Sequence, residues 1–131
     1  LPISHFHQKL RRRRKAMNRR AAGYIAEELA ARRLEKDGYR ILARNEKCAG
    51  VEVDIIAAEG GDLVFAEVKA SSSEFASPAE HITREQRRRY VRAAKAYVQA
   101  HSLFGVNVRF DAVEVRDGAV TVIRGAFDAE G

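Results

Sequence analysis

The sequence predicts an α/β domain with its elements in the order α-β-β-β-α-β-β. Three observations carry that prediction. Apolar residues recur at helical spacing from Ala22 to Leu34, they do so again from Ile82 to Val98, and between these stretches two apolar runs flank the pair Gly60-Gly61. The 131 residues suit one domain, because a single core commonly serves about 100 to 150 residues.

Residues 1–20 are expected to form a basic, disordered arm, and residues 21–131 a single domain. The arm holds eight Lys or Arg (Lys9, Arg11, Arg12, Arg13, Arg14, Lys15, Arg19 and Arg20) and no acid. Such a run self-repels when free and binds phosphates by counterion release. It also has the composition of an organelle transit peptide, and Met17, the only methionine, stands just before the helical pattern, so residues 1–16 also read as upstream sequence.

The first helix opens at Ala22, with Ile25, Ala26, Leu29, Ala30 and Leu34 on its apolar face and Gly38 as its stop. Tyr39, Ile41 and Leu42 begin a strand reaching about Glu46, which turns near Cys48–Gly50. Two strands follow, Val51 to Ala58 and Leu63 to Ala70, joined at Gly60-Gly61, a pair that supplies the positive φ angles of a tight hairpin. Ser71 to Pro78 reads as a polar loop in which Phe75 packs. Ile82, Tyr90, Val91, Ala94, Tyr97 and Val98 mark a second helix, with Thr83 as N-cap and Gln86 as its capping-box partner. Val106 to Val115 is the next strand, Asp117-Gly118 a turn, and Ala119 to Ile123 a short last strand.

Composition narrows the function classes. Hydrophobic residues make up 46% and charged ones 32%, enough for a core under a solvated surface. Cys48 is the only cysteine, which rules out an internal disulfide, argues against a cysteine zinc site and fits a reducing cytoplasm. No apolar run approaches the roughly 20 residues that cross a bilayer, so no membrane span is expected. The net charge of +6 resides in the arm, since the remainder holds 16 basic against 18 acidic residues. Attraction to a polyanion elsewhere must come from local patches, and the clearest is Arg84, Arg87, Arg88, Arg89, Arg92 and Lys95.

With Gly60-Gly61 at the centre of the hairpin, Asp54 falls opposite Glu67 and Glu52 opposite Lys69, all on one face of the sheet. Directly opposed β-carbons lie roughly 5 Å apart, so three acids and a lysine converge. Clustered carboxylates repel and call for a compensating cation. Magnesium or manganese held by two carboxylates answers that need and serves phosphodiester hydrolysis, with a lysine orienting water or stabilising the transition state. The plain alternative is a solvated strand face carrying a Glu52–Lys69 ion pair. Against it, these acids stand inside the most apolar segments of the chain, and acids are depleted from strand interiors.

At these residues the sequence resembles the PD-(D/E)xK nuclease superfamily, with Asp54 for its aspartate and Glu67-Val68-Lys69 for its E-x-K element. Four stretches narrow the resemblance to the YraN-like family, related to Holliday junction resolvases: 23–27 (GYIAE), 38–45 (GYRILARN), 52–57 (EVDIIA) and 63–69 (LVFAEVK). The likeness runs from Gly23 to Asp128. It implies a restriction-endonuclease-like core, a mixed central sheet flanked by helices, with the metal on Asp54, Glu67 and the Val68 carbonyl and with Lys69 orienting the water. Glu27 corresponds to a first-helix acid that completes such sites, although it also reads as an exposed helix charge. Gln86 and Tyr90 resemble a Q-x-x-x-Y element, or else they are a capping glutamine and a core tyrosine. The family commonly has Gly where Val51 stands, and often Lys where Gln86 stands.

The function expected is a Mg-dependent endonuclease on DNA, with branched or recombination intermediates among its substrates. Arg84, Arg87, Arg88 and Arg92 are the expected phosphate contacts. Resolving a four-way junction takes two cuts, so that role would favour a homodimer. The alternatives are a noncatalytic nucleic-acid-binding or assembly module on the same scaffold, and a protein-interaction domain with an acidic patch. His5, His7, His81 and His101 have no metal-ligand spacing and read as structural or surface residues. Asp111 reads either as a polar residue near the site or as a strand-edge acid.

Overall fold

The computed structural model describes residues 2–70 and 82–129 and, in the first helix, the side chains from His7 onward except those of residues 16, 18 and 19. Five strands form one sheet in the order β1-β2-β3-β4-β5. They are β1 (Arg40–Cys48), β2 (Val51–Glu59), β3 (Asp62–Ala70), β4 (Asn107–Arg116) and β5 (Ala119–Phe127). Neighbours run antiparallel except β3 and β4, which run parallel across the helix α2 (Arg84–Ala100), so the sheet is mixed. The three antiparallel hairpins turn through Ala49-Gly50, Gly60-Gly61 and Asp117-Gly118, and both residues of each pair have positive φ. Such turns carry the right-handed twist that adjacent strands share, which explains why the chain tolerates Ala49 at a φ of 51°.

The sheet is covered on both faces. Tyr90, Ala93, Ala94 and Tyr97 of α2 pack with Val53, Ile56, Phe65 and Phe110 on one side. Ala26, Ala30, Ala31 and Leu34 of the first helix, α1 (Pro2–Lys36), pack with Ile55, Val64, Ala66 and Val113 on the other. Small residues on α1 let its backbone lie close to the sheet. Arg44 clasps Glu28 at 2.9 Å, and Arg33 reaches the Val120 carbonyl at 2.8 Å, so the helix is tied to strands at both edges of the sheet.

Helix α1 begins at Pro2, where a disordered arm over residues 1–20 and a helix from Ala22 are expected. Arg, Lys, Gln, Leu and Ala are all strong helix formers, and no glycine intervenes before Gly23, so backbone propensity carries the helix through a segment whose charge pattern suggests disorder. Ile25, placed on the apolar face by its spacing, is instead 57% exposed, because Ala26, Ala30, Ala31 and Leu34 form the buried stripe. The last strand also exceeds its expected end at Ile123. Gly125, at a φ of 61°, lets β5 bulge and continue to Phe127, and its N–H is held by Asp111 at 3.0 Å. The capping box at Thr83 and Gln86 forms as expected. Ser71 to Pro78, Phe75 and His81 lie outside the described residues. Among the described residues, no helix is long and apolar enough to cross a membrane.

Candidate metal centre

The hairpin of β2 and β3 keeps the register set by its two-glycine turn from Glu59 opposite Asp62 to Ile55 opposite Ala66. At the next pair the ladder opens. The Tyr90 hydroxyl, reaching in from α2, accepts the Asp54 N–H at 3.2 Å and donates to the Ala66 carbonyl at 3.4 Å. Asp54 Oδ2 then accepts the Val68 N–H at 2.8 Å, so a carboxylate stands where a backbone carbonyl would otherwise pair. The facing strand yields at the same level: Asn45, at a φ of 52°, lies between Arg44, opposite Ile55, and Glu46, opposite Val53. Val53 packs under α2 and Ile55 under α1 although they are two residues apart, so the alternation of faces breaks at Asp54.

The break gathers acids. Burial, then the neighbouring Glu67 carboxylate and, more weakly, Glu27 on α1 push the Asp54 carboxyl up to about 8. Burial, with Asp54 and Glu67 beside it, also drives the Tyr90 hydroxyl far above its ordinary range, so it remains a protonated donor. The cation that answers this charge is Lys69, whose Nζ lies 3.1 Å from Glu67 Oε1. The ladder has already opened at Asp54, so Glu52 and Lys69 are not register partners as expected, and the ion pair of the plain alternative is not among those of the described residues. Glu52 is exposed and lines a cleft of about 330 Å³ together with Gly50, Glu67, Gln86, Arg89 and Arg92.

The structure thus brings together Asp54, Glu67 and Lys69, sets Glu27 within electrostatic reach and places Glu52 and Gln86 on the cleft. The Gln86 amide oxygen meanwhile caps α2 by accepting the Thr83 N–H at 3.0 Å. Of the four arginines expected to meet phosphate, only Arg92 lines the cleft. Arg84 and Arg88 face solvent. Arg87 turns to the Ile82 carbonyl at 3.2 Å and lies over the Phe127 ring. Arg89, grouped with the basic patch by sequence but not singled out, does line the cleft; it sits one helical turn from Gln86, and that spacing was the available signal. Among the described residues no three His, Cys, Asp or Glu side chains already form a ligand cage. Two adjacent carboxylates fit a hard cation that keeps part of its water shell, and magnesium and manganese behave in that way.

Asp111 belongs elsewhere. It is fully buried and accepts hydrogen bonds from the Tyr39 hydroxyl at 2.7 Å, Arg109 Nε at 2.9 Å and the Gly125 N–H. Arg109 also binds Glu59 and Asp62, each at 2.9 Å, and Arg124 adds a second contact to Glu59. His101 caps α2, with its ring 4.1 Å from that of Tyr97.

The model of the family described as "Uncharacterised protein family UPF0102" matches residues 26–115. A UPF0102 protein of Moorella thermoacetica is 43% identical over 118 residues, covering 85% of this chain and 98% of that protein. A UPF0102 protein of Azorhizobium caulinodans is 41% identical over 123 residues, 92% of either chain. One from Caldicellulosiruptor saccharolyticus is 46% identical over 100 residues, 76% of this chain and 85% of its own.

Proposed function

The chain belongs to the UPF0102 family, and we propose that it is a magnesium- or manganese-dependent phosphodiesterase, an endonuclease acting on DNA, with branched or recombination intermediates as the substrates to test first. One observation carries the reading: Asp54 and Glu67 are held side by side in a strand pair opened for them, with the single ammonium of Lys69 to offset their charge. A purely structural role would favour pairing or replacing these acids, because uncompensated buried charge is costly.

Asp54 and Glu67, with the Val68 carbonyl, would hold the ion. When bound, it supplies a water of lowered pKa and charge to offset the developing negative charge on phosphate. Every other part belongs to the chain. The Val68 N–H and the Tyr90 hydroxyl fix Asp54, its carboxylate and its amide respectively, so that it need not reorganise when substrate arrives. Lys69, next to Glu67, orients the attacking water. Arg89 and Arg92 on the cleft wall neutralise flanking phosphates, while Glu52 and Gln86 shape its mouth. Glu27 adds negative charge from α1 and strengthens the pull on a cation.

The decisive experiment is cleavage of linear duplex, single-stranded, flapped and four-way DNA with Mg²⁺ or Mn²⁺, using Lys69→Ala as the contamination control. Cleavage by the native chain that falls on the order of a hundredfold or more in the variant is the expected result. Equal cleavage by both proteins would sink the site assignment. Inactivity on every substrate, with binding retained, would favour a noncatalytic nucleic-acid module.

A further inference from the structure

Helix α1 is 35 residues long, about 52 Å at 1.5 Å per residue, yet it packs against the sheet only near its C-terminal end. Among its described side chains the first that is buried is Ala26. Every described side chain from His7 to Lys15 is exposed, as are Met17, Arg20, Ala21 and Ala22. Successive helical residues turn by about 100°, so Arg11, Arg12, Arg13 and Arg14 project on all sides of the rod. Lys9 with Arg13 and Arg11 with Lys15 place like charges four residues apart, an arrangement that disfavours the helix. Among the described residues, Lys9, Arg11–Lys15 and Arg20 make no ion pair within the chain.

We propose that this basic, all-round charged rod is a second nucleic-acid contact, a duplex-DNA grip that lies in the major groove. The groove, about 12 Å wide, accepts a helix of about 10 to 12 Å diameter, and phosphates on both of its walls meet arginines that leave the rod in every direction. Between His7 and Arg20 the sequence carries eight Lys or Arg against two large apolar residues, Leu10 and Met17, so charge outweighs apolar area along this stretch. It is continuous with the turn that brings Glu27 to the acid cluster. Arg13 stands about 21 Å from Glu27 along the helix axis, so the grip lies apart from the proposed metal centre. The family model begins at residue 26, beyond the rod.

The proposal rests on the phosphodiesterase reading only for the identity of the polyanion, and its test needs no catalysis. Binding of a 30-base-pair duplex is measured by fluorescence anisotropy without divalent metal over a series of salt concentrations. The full chain is compared with a variant carrying Arg11→Gln, Arg12→Gln, Arg13→Gln and Arg14→Gln, whose side chains remain good helix formers. The variant should bind at least about tenfold more weakly at 0.1 M salt, and its slope of log affinity against log salt should fall by about 3 to 4. The native slope and affinity in a variant whose circular dichroism shows it folded would overturn the grip. Binding to anionic vesicles but not to duplex would do the same. Absence of cleavage with the slope difference intact would defeat the catalytic reading alone.

Discussion

Two groups of acids lie within this one sheet, and their surroundings are opposite. Asp111, Glu59 and Asp62 are answered by Arg109 and Arg124, by the Tyr39 hydroxyl and by the Gly125 amide. Asp62, hydrogen-bonded by Asn107 and then by Arg109, titrates below the usual carboxylate range. Hydrogen bonding to Asp111 is the main influence that raises the Arg109 guanidinium above its already high range. Asp54 moves the other way, because burial beside Glu67 and Glu27 outweighs the single Val68 hydrogen bond. The contrast shows that this fold can satisfy interior carboxylates when structure is all they serve. Where it leaves them short of cations, the strain that remains is what the proposed metal centre would relieve.

The largest effect should come from breaking the satisfied group. Arg109→Ala leaves Asp111 buried without its guanidinium and is expected to lower unfolding free energy by about 3 to 5 kcal/mol, read by urea denaturation. A loss under about 1 kcal/mol would mean that the two groups do not differ in the way described.

The second test reverses the sign. An acid whose pKa is higher in the folded state than in the unfolded one favours folding while protonated. Asp54's contribution is therefore full below about pH 4 and disappears as pH rises to its folded value of about 8. Metal-free protein should accordingly lose on the order of a few kcal/mol between about pH 4 and pH 8 from this group. Asp54→Asn should flatten that slope and be more stable than the native chain at pH 8. A parallel slope in both proteins would show that other groups carry it.

Third, saturating Mg²⁺ at pH 8 should stabilise the native chain by up to about 2.7 kcal/mol at a hundredfold excess over Kd, and should leave the melting of Asp54→Asn unchanged. The smallest effect belongs to Tyr90→Phe. It removes the hydroxyl between Asp54 N–H and the Ala66 carbonyl and should cost about 1 to 2 kcal/mol, with weaker Mn²⁺ binding from a less firmly held Asp54. Unaltered Mn²⁺ affinity would reduce Tyr90 to a packing residue.

The sequence makes the hairpin and its acids legible because both are local. A two-glycine turn sets the register, and polar residues stand out within Val53-to-Ile56 and Leu63-to-Ala66. Tyr90's wedge is illegible because it depends on a helix 36 residues from Asp54, and the outcome is that Lys69 meets Glu67 and not Glu52. The Asp111 group is equally hidden, since Tyr39 and Asp111 are 72 residues apart and nothing local joins them. In α1, propensity and charge pull in opposite directions, and pattern alone does not weigh them. The last strand reads from sequence as ending at Ile123 because what carries it on through Gly125 is a hydrogen bond from the Gly125 N–H to the Asp111 carboxylate of β4, 14 residues away.

The three tight hairpins have a kinetic consequence. Each joins neighbours in the chain and can close in microseconds, whereas β3 meets β4 only after a 45-residue separation between Asp62 and Asn107 has been spanned. That closure should limit the folding rate. Asp54, Glu67 and Lys69 would thus be neighbours in an early hairpin, while Tyr90, which sets Asp54's final place, arrives with the slow step. The chain would acquire its acids first and their exact setting last.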